Sequence, residues 1–181
     1  NNYLLGKDPF PFDLLYWNAD NTRMPAMMHS LYLRQMYLEN KLIEPGGITL
    51  DGVALDLRNI SVPTYIVSTK DDHIAPWKST YAATQLYKGN IRFVLSASGH
   101  IAGIVNPPAA NKYCYWTNTK TPAEPDAWFA GARQHDGSWW TDWQKWVKKH
   151  AGTQVDARDP GCGKVKPLED TPGSYVKARL S

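Results

Sequence analysis

The sequence predicts an α/β fold, and three features predict it. Two near-continuous apolar runs, Val62 to Ser68 and Ile91 to Ala97, have the composition of strands covered on both faces of a parallel sheet. Between them, Pro76 opens a helical pattern through Trp77, Tyr81 and Leu86 that stops at Gly89. A strand, a helix and a strand of this length form a βαβ unit, whose crossover is right-handed by default.

The elements follow in order. From Asn1 to Gly47 the chain is aromatic and Met-rich, and Pro9, Pro11, Pro25 and Pro45 punctuate it. That composition suits short elements and turns better than a sheet core. Within it Ala26 to Leu42 reads as a helix, because Met28, Leu31, Leu38 and Leu42 recur at helical spacing and Pro45-Gly46-Gly47 stops the pattern. Met27, Leu33, Met36 and Tyr37 put further apolar surface on its other side. A mobile cap or a subunit contact would use that surplus, and so would burial on two sides.

From Ile48 to His150 strand and helix signals alternate. Pro63 stands near the start of the first strand, where its missing N–H is tolerated. A last helix is expected from Ser138 as cap, with Trp139, Trp143, Trp146 and Val147 on the face that covers the sheet. From Ala151 to Ser181 Gly, Pro and charge dominate. This reads as a tail with a turn at Gly161-Cys162-Gly163, and Tyr175 and Val176 are its expected anchors. The organisation expected is a cap and contact region over 1–47, a sheet core over 48–150 and a tail over 151–181.

Composition narrows the function classes. With 43% hydrophobic residues, 8 Trp and 10 Tyr there is ample material for a core. No apolar stretch approaches the roughly 18–20 residues of a membrane span. The 20 Lys and Arg against 17 Asp and Glu leave a formal +3 without a basic block. Lys145, Lys148 and Lys149 fall at a helix end, where cations complement the dipole, so no nucleic-acid surface is expected. Cys114 and Cys162 are too few and too far apart for a metal site or a disulfide framework. Neither a metal nor a cofactor is expected, and a reducing, cytoplasmic setting is the default.

The chemistry sits just past the two strands. The first run leads into Thr69-Lys70-Asp71-Asp72-His73-Ile74-Ala75-Pro76-Trp77, and the second into Ser98-Gly99-His100-Ile101-Ala102-Gly103. An acid after one strand and a histidine after a later one is the chain order in which α/β-hydrolases present the last two members of a nucleophile, acid and base triad. The expected fold narrows to the C-terminal half of the mostly parallel sheet of an α/β-hydrolase, with a helical cap insertion.

A catalytic histidine needs a carboxylate on its far nitrogen to fix its tautomer and stabilise the imidazolium. Asp72, four residues before Pro76, fits that place, whereas Asp71 is one place early and faces solvent; a turn former or cap is the plain alternative for Asp72. Gly99 is expected to let the backbone turn sharply and aim His100 into a cleft. Taken alone His100 reads as a packed imidazole; paired with Asp72 it reads as a base. His73 reads as an auxiliary donor beside the acid, or as packing. His29, His135 and His150 are expected at a surface or interface. Neither cysteine sits in a G-x-[SC]-x-G elbow and both follow His100, so the nucleophile is expected upstream of Asn1, in a longer enzyme.

Motifs along nearly the whole chain resemble the C-terminal part of class I polyhydroxyalkanoate synthases. They are Tyr3-Leu4-Leu5-Gly6, Pro11-Phe12-Asp13-Leu14-Leu15-Tyr16-Trp17-Asn18-Ala19-Asp20, Tyr32-Leu33-Arg34, Asp72-His73-Ile74-Ala75-Pro76-Trp77, Phe93-Val94-Leu95, Ser98-Gly99-His100-Ile101-Ala102-Gly103, Asn106-Pro107-Pro108, Gly137-Ser138-Trp139-Trp140 and Pro172-Gly173-Ser174-Tyr175-Val176-Lys177.

The resemblance implies an acyltransferase that polymerises 3-hydroxyacyl-CoA, with short chains such as 3-hydroxybutyryl-CoA, into polyester. CoA leaves as part of the substrate, and no cofactor is needed. It implies that a cysteine in the upstream segment holds the growing polyester chain as a thioester, that His100 deprotonates it, and that Asp72 activates the 3-hydroxyl of the incoming unit or supports His100. It further implies that His73 assists the acid, that Trp17 and Asp20 lie near the active-site cap, that Asn40 and Ile74 belong to the cap or substrate surface, and that Ala102 bears on substrate side-chain length. Homodimers through the cap, at the surface of cytoplasmic polyester granules, are also implied. Ser68 stands where the family often has Gly, and Asp51-Gly52 where it often has Cys-Gly; both bear on substrate range more than on reaction type. Two other readings stay open: a thioesterase or lipase-like hydrolase that releases free acid, and a non-catalytic dimerisation or granule-binding segment.

Overall fold

The structure is a computed structural model that describes residues 2–7 and 23–178. It divides into two compact units, one of residues 1–31 and 154–181, the other of residues 32–153.

In the first unit the described residues form two short helices, α1 (Asn2–Leu5) and α2 (Ala26–Leu31), and an irregular segment ending in a 3₁₀ turn at Tyr175–Lys177. Glu169 holds a turn of that segment, its carboxylate accepting from the Ser174 N–H and hydroxyl at 2.8 Å each. Tyr175, expected to anchor the tail, is 86% exposed.

The helix expected over 26–42 is not one α-helix. Tyr32–Leu38 winds in wide i→i+5 turns, and Asn40 then turns left-handed (φ 52) ahead of a 3₁₀ turn at Lys41–Ile43. Five residues apart, Tyr32 and Tyr37 meet edge to face at 5.2 Å, the pairing that the wider winding allows. Met27, Tyr37 and Leu38 are exposed.

The second unit holds a small hairpin and the main sheet. Strands β1 (Thr49–Leu50) and β2 (Val53–Ala54) pair antiparallel about Asp51 and Gly52, both at positive φ, the two-residue turn that Asp-Gly favours. Strand β3 (Thr64–Thr69) runs parallel to β4 (Ile91–Ser96); β5 (Cys114–Thr117) and β6 (Arg133–Asp136) follow antiparallel in the order β3-β4-β5-β6. Helices α3 (Trp77–Tyr81) and α4 (Ala83–Leu86) form the crossover between β3 and β4. Pro76 caps α3 instead of lying in its first turn.

The described sheet is therefore mixed, with one parallel pair and two antiparallel ones. Between β4 and β5 lie only a helical turn at residues 99–105 and a 3₁₀ turn at Pro108–Ala110, both too short for the crossover that a parallel strand requires.

Register explains the two faces. Ile66 lies opposite Phe93, and both pack with Leu95, Tyr81 and Trp128 under α3, α4 and α5 (Pro125–Ala130). Phe93 meets Tyr81 and Trp128 edge to face, each at 5.0 Å. One position along each strand, Tyr65 lies opposite Arg92 on the other face. There α6 (Trp140–Val147) presents Asp142, which accepts from the Tyr65 hydroxyl at 2.9 Å and from Arg92 Nε at 2.6 Å. The covering stripe of α6 is thus Trp139, Asp142 and Trp146, the two rings lying against Tyr65. Trp143, placed on that stripe by the sequence, is 42% exposed because the polar Asp142 has taken the inward place.

Candidate active site

Two loops leave the C-terminal ends of β3 and β4 side by side. The ladder continues past the strands: the Lys70 N–H donates to Ser96 O at 2.8 Å and the Asp71 N–H to Ser98 O at 3.1 Å. These bonds bring Asp72 to His100.

The acid loop is built locally. Asp72 Oδ1 accepts the N–H groups of Ile74 and Ala75, both at 2.9 Å, so one carboxylate oxygen closes the turn into α3. The other oxygen is left for His100 Nδ1, at 2.8 Å, with the Thr69 hydroxyl at 3.4 Å. The Ala75 N–H, with His100 and Ile74 adding to it against the effect of burial, holds the Asp72 carboxyl down to about 2. Asp72 is therefore an ionised acceptor at neutral pH, and the hydrogen between it and Nδ1 belongs to the imidazole. That leaves Nε2 with the lone pair in the neutral ring, on a side chain 47% exposed, against 7% for Asp72.

The histidine loop is built differently. The sharp turn off β4 falls on Ser98, at φ 76, and not on Gly99, which lies outside the left-handed region. Ser98 turns because its carbonyl must face Asp71. The chain then makes a helical turn, Gly103 N–H to Gly99 O at 3.1 Å and Val105 N–H to Ile101 O at 2.9 Å. Gly103 is sterically required: a Cβ there would overlap Ala97 O and Thr69 Cγ2. Its carbonyl accepts from the Ser96 hydroxyl at 2.8 Å and the Trp139 indole at 3.1 Å, while Ile104 O accepts the Trp140 indole at 2.9 Å and Trp139 at 3.2 Å.

The remaining sequence candidates divide. His73 is exposed and makes no hydrogen bond to the acid. Ile74, Ile101, Ala102 and Val105 are exposed apolar side chains on the two loops. Asn40 ends the wide helix and is exposed. Trp17 and Asp20 lie outside the described residues. Cys114, on β5, is half-buried, and burial pushes its thiol up; Cys162 is an exposed thiol in a turn. His135, expected at a surface, is half-buried, stacked on Tyr115 and within 2.9 Å of the Thr117 hydroxyl. Among the described residues no three His, Cys, Asp or Glu could hold a metal ion, and no helix is long and apolar enough to cross a membrane.

Sequence reasoning missed Ser98, Gly103 and the two indoles. One signal for the indoles was available: adjacent tryptophans at a helix start cannot share one stripe, so Trp140 had to point elsewhere.

Among known proteins, the poly(3-hydroxyalkanoate) polymerase subunit PhaC of Cupriavidus necator is 49% identical over 180 residues, covering 99% of this chain and 31% of the relative. That of Rhizobium meliloti is 50% identical over 179 residues, covering 99% and 29%. The chain is a homologue of the poly(3-hydroxyalkanoate) polymerases. Poly(3-hydroxyalkanoate) polymerase 1 of Ectopseudomonas oleovorans, 40% identical over 185 residues, extends the likeness to a more distant relative. The chain spans just under a third of the length of these curated relatives. No family model matches it.

Proposed function

We propose that this chain is the part of a polyhydroxyalkanoate synthase that carries the acid and the base, in the C-terminal half of an α/β-hydrolase sheet. In this reading residues 1–47 form the cap and dimer contact, 48–150 the core and 151–181 the tail. The nucleophilic cysteine comes from the rest of the enzyme, which works as a homodimer at the surface of cytoplasmic polyester granules. The observation that carries the reading is the 2.8 Å contact between Asp72 and His100, acid before base, at the ends of neighbouring parallel strands.

The steps follow from the free nitrogen. Nε2 of His100 takes the cysteine proton, and the thiolate attacks the thioester carbonyl of a 3-hydroxyacyl-CoA. The bond to CoA breaks, and the CoA sulfur takes the proton back from Nε2 as it leaves. Nε2 then takes the proton of a 3-hydroxyl, whose oxygen attacks the acyl-cysteine; an ester forms, and the freed thiolate is reprotonated. Throughout, ionised Asp72 stabilises the imidazolium and keeps Nδ1 protonated. The apolar side chains of Ile74, Ile101, Ala102 and Val105 suit a pocket that keeps water from the thioester. His73, Trp17, Asp20 and Asn40 are assigned to the cap and the surroundings of the acid.

Full-length enzyme supplied with 3-hydroxybutyryl-CoA tests this. Polymer and free CoA are expected, and His100→Ala is expected to lose activity by on the order of 10³-fold or more. Free 3-hydroxybutyrate in place of polymer would make the protein a thioesterase, and undiminished polymer from His100→Ala would reduce the segment to a dimerisation or granule-binding role.

A further inference from the structure

Among the described residues the ring of His100 makes one hydrogen bond, to Asp72, and it is nearly half exposed, so packing does not hold it. Its aim is set by the backbone of residues 98–105. That backbone is one helical turn, and its last carbonyls have no partner further along a helix. Water could satisfy them, but water would leave the turn free to shift. Here Gly103 O, which also accepts from the Ser96 hydroxyl, and Ile104 O are capped instead by two indole N–H groups from the start of α6. An indole donates in one direction only, from a rigid side chain.

We propose that Trp139 and Trp140 are positioning residues that fix the imidazole of His100 against Asp72 by gripping the carbonyls of Gly103 and Ile104. This rests on the role given to His100 above. The grip has a fixed origin. Trp139 stacks on Tyr65 at 6.1 Å with 30° between the rings, and the Tyr65 hydroxyl and Arg92 both bind Asp142. Helix α6 is thereby registered on β3 and β4, the strands that end in the acid loop and the histidine loop. The acid and the base share one frame, and the indoles close it.

The test uses the full-length enzyme with Trp139→Phe, Trp140→Phe and both together, reading kcat and KM for 3-hydroxybutyryl-CoA, Tm, and the pH profile of iodoacetamide alkylation at the nucleophilic cysteine. A displacement of about 1 Å at a base lowers rates by roughly 10²-fold, so each single variant should lose about tenfold in kcat and the double variant about a hundredfold, with KM within about twofold. The alkylation profile should move toward that of His100→Ala, since the thiol has lost its base. Trp143→Phe, on the same helix and with no side-chain hydrogen bond or ring contact among the described residues, should change none of these. Phe variants that lower Tm yet keep kcat and the alkylation profile overturn the proposal, because the indoles then only pack. If the double variant does not fold, the two single variants decide. An active His100→Ala overturns the proposed function instead; an inactive His100→Ala beside unaltered Phe variants overturns only the grip.

Discussion

The acid loop and the histidine loop do the same task by opposite means. Apart from the histidine itself, every hydrogen bond of the Asp72 carboxylate comes from a residue within three positions of it. The last carbonyls of the histidine loop are held by indoles 35 and 36 positions away, with the Ser96 hydroxyl seven positions off adding to Gly103 O. A site can thus join one half specified by local sequence to another that leans on tertiary packing. The two halves should fail differently.

The largest effect is expected at the acid. Asp72→Asn keeps an oxygen for the Ile74 and Ala75 N–H groups, so the turn survives, but it removes the charge that supports the imidazolium. CoA release by the full-length enzyme should fall by on the order of 10³-fold or more, while Tm at neutral pH falls only by what the carboxylate charge contributes, since the turn itself is kept. The same carboxylate marks the low-pH limit of the loop. Because its folded value lies at about 2, below the ordinary 3.8, the stability it contributes is complete above about pH 4 and is lost as pH falls toward 2. Acid titration of Tm should show that loss, and Asp72→Asn should flatten it.

Gly103→Ala breaks the other half without touching either reacting side chain. The added methyl meets Ala97 O, which is backbone and cannot swing aside, and Thr69 Cγ2. A stability loss of about 1–3 kcal/mol by urea titration is expected. CoA release should fall by roughly 10²-fold, because the turn carrying His100 must move. A variant with lowered stability but wild-type rate would show that the loop tolerates displacement and would erase the contrast between the halves.

The same contrast explains what the sequence discloses. The runs that become β3 and β4, the crossover between them and the side-by-side placing of Asp72 and His100 are legible, because continuous apolar strands and a Pro-opened helix are local signals. Strands β5 and β6 are not. Cys114-Tyr115-Trp116-Thr117 is short, and Arg133-Gln134-His135-Asp136 carries no apolar alternation, so only pairing with a neighbour makes it a strand. Trp143 misleads for a related reason: periodicity counts apolar residues, whereas the inward place goes to Asp142, which meets Arg92 and Tyr65 there. Gly99 misleads because composition marks where a turn is easy, and the carbonyl contact to Asp71 decides where it falls.

Asp142→Asn probes the frame beneath both loops. Burial pushes this carboxyl up, but the Arg92 and Tyr65 hydrogen bonds together outweigh it and hold it below its ordinary 3.8. Its contribution is therefore present above about pH 4 and lost with acidification. Substitution should destabilise by about 1–3 kcal/mol at neutral pH, as expected for hydrogen bonds to a charged group that is only partly screened. Wild type and variant should converge in acid. Activity should fall less than in Gly103→Ala, since the indoles keep their partners.

The smallest effect is expected at Ser98, and it has the opposite sign. A side chain at φ 76 is disfavoured by about 1–2 kcal/mol, while glycine adds roughly 0.5–1 kcal/mol of unfolded-chain entropy. Ser98→Gly should therefore stabilise by a few tenths to about 1 kcal/mol, a rise in Tm of roughly 1–4 °C. If the indoles and Gly103 already fix the turn, CoA release will not change. A fall in rate with a rise in Tm would mean that the strained serine itself helps to aim His100, since strain kept at a site persists where the surroundings over-determine it. The histidine loop would then carry part of its own specification, and the division between a locally coded acid and a packing-coded base would narrow to the two indoles.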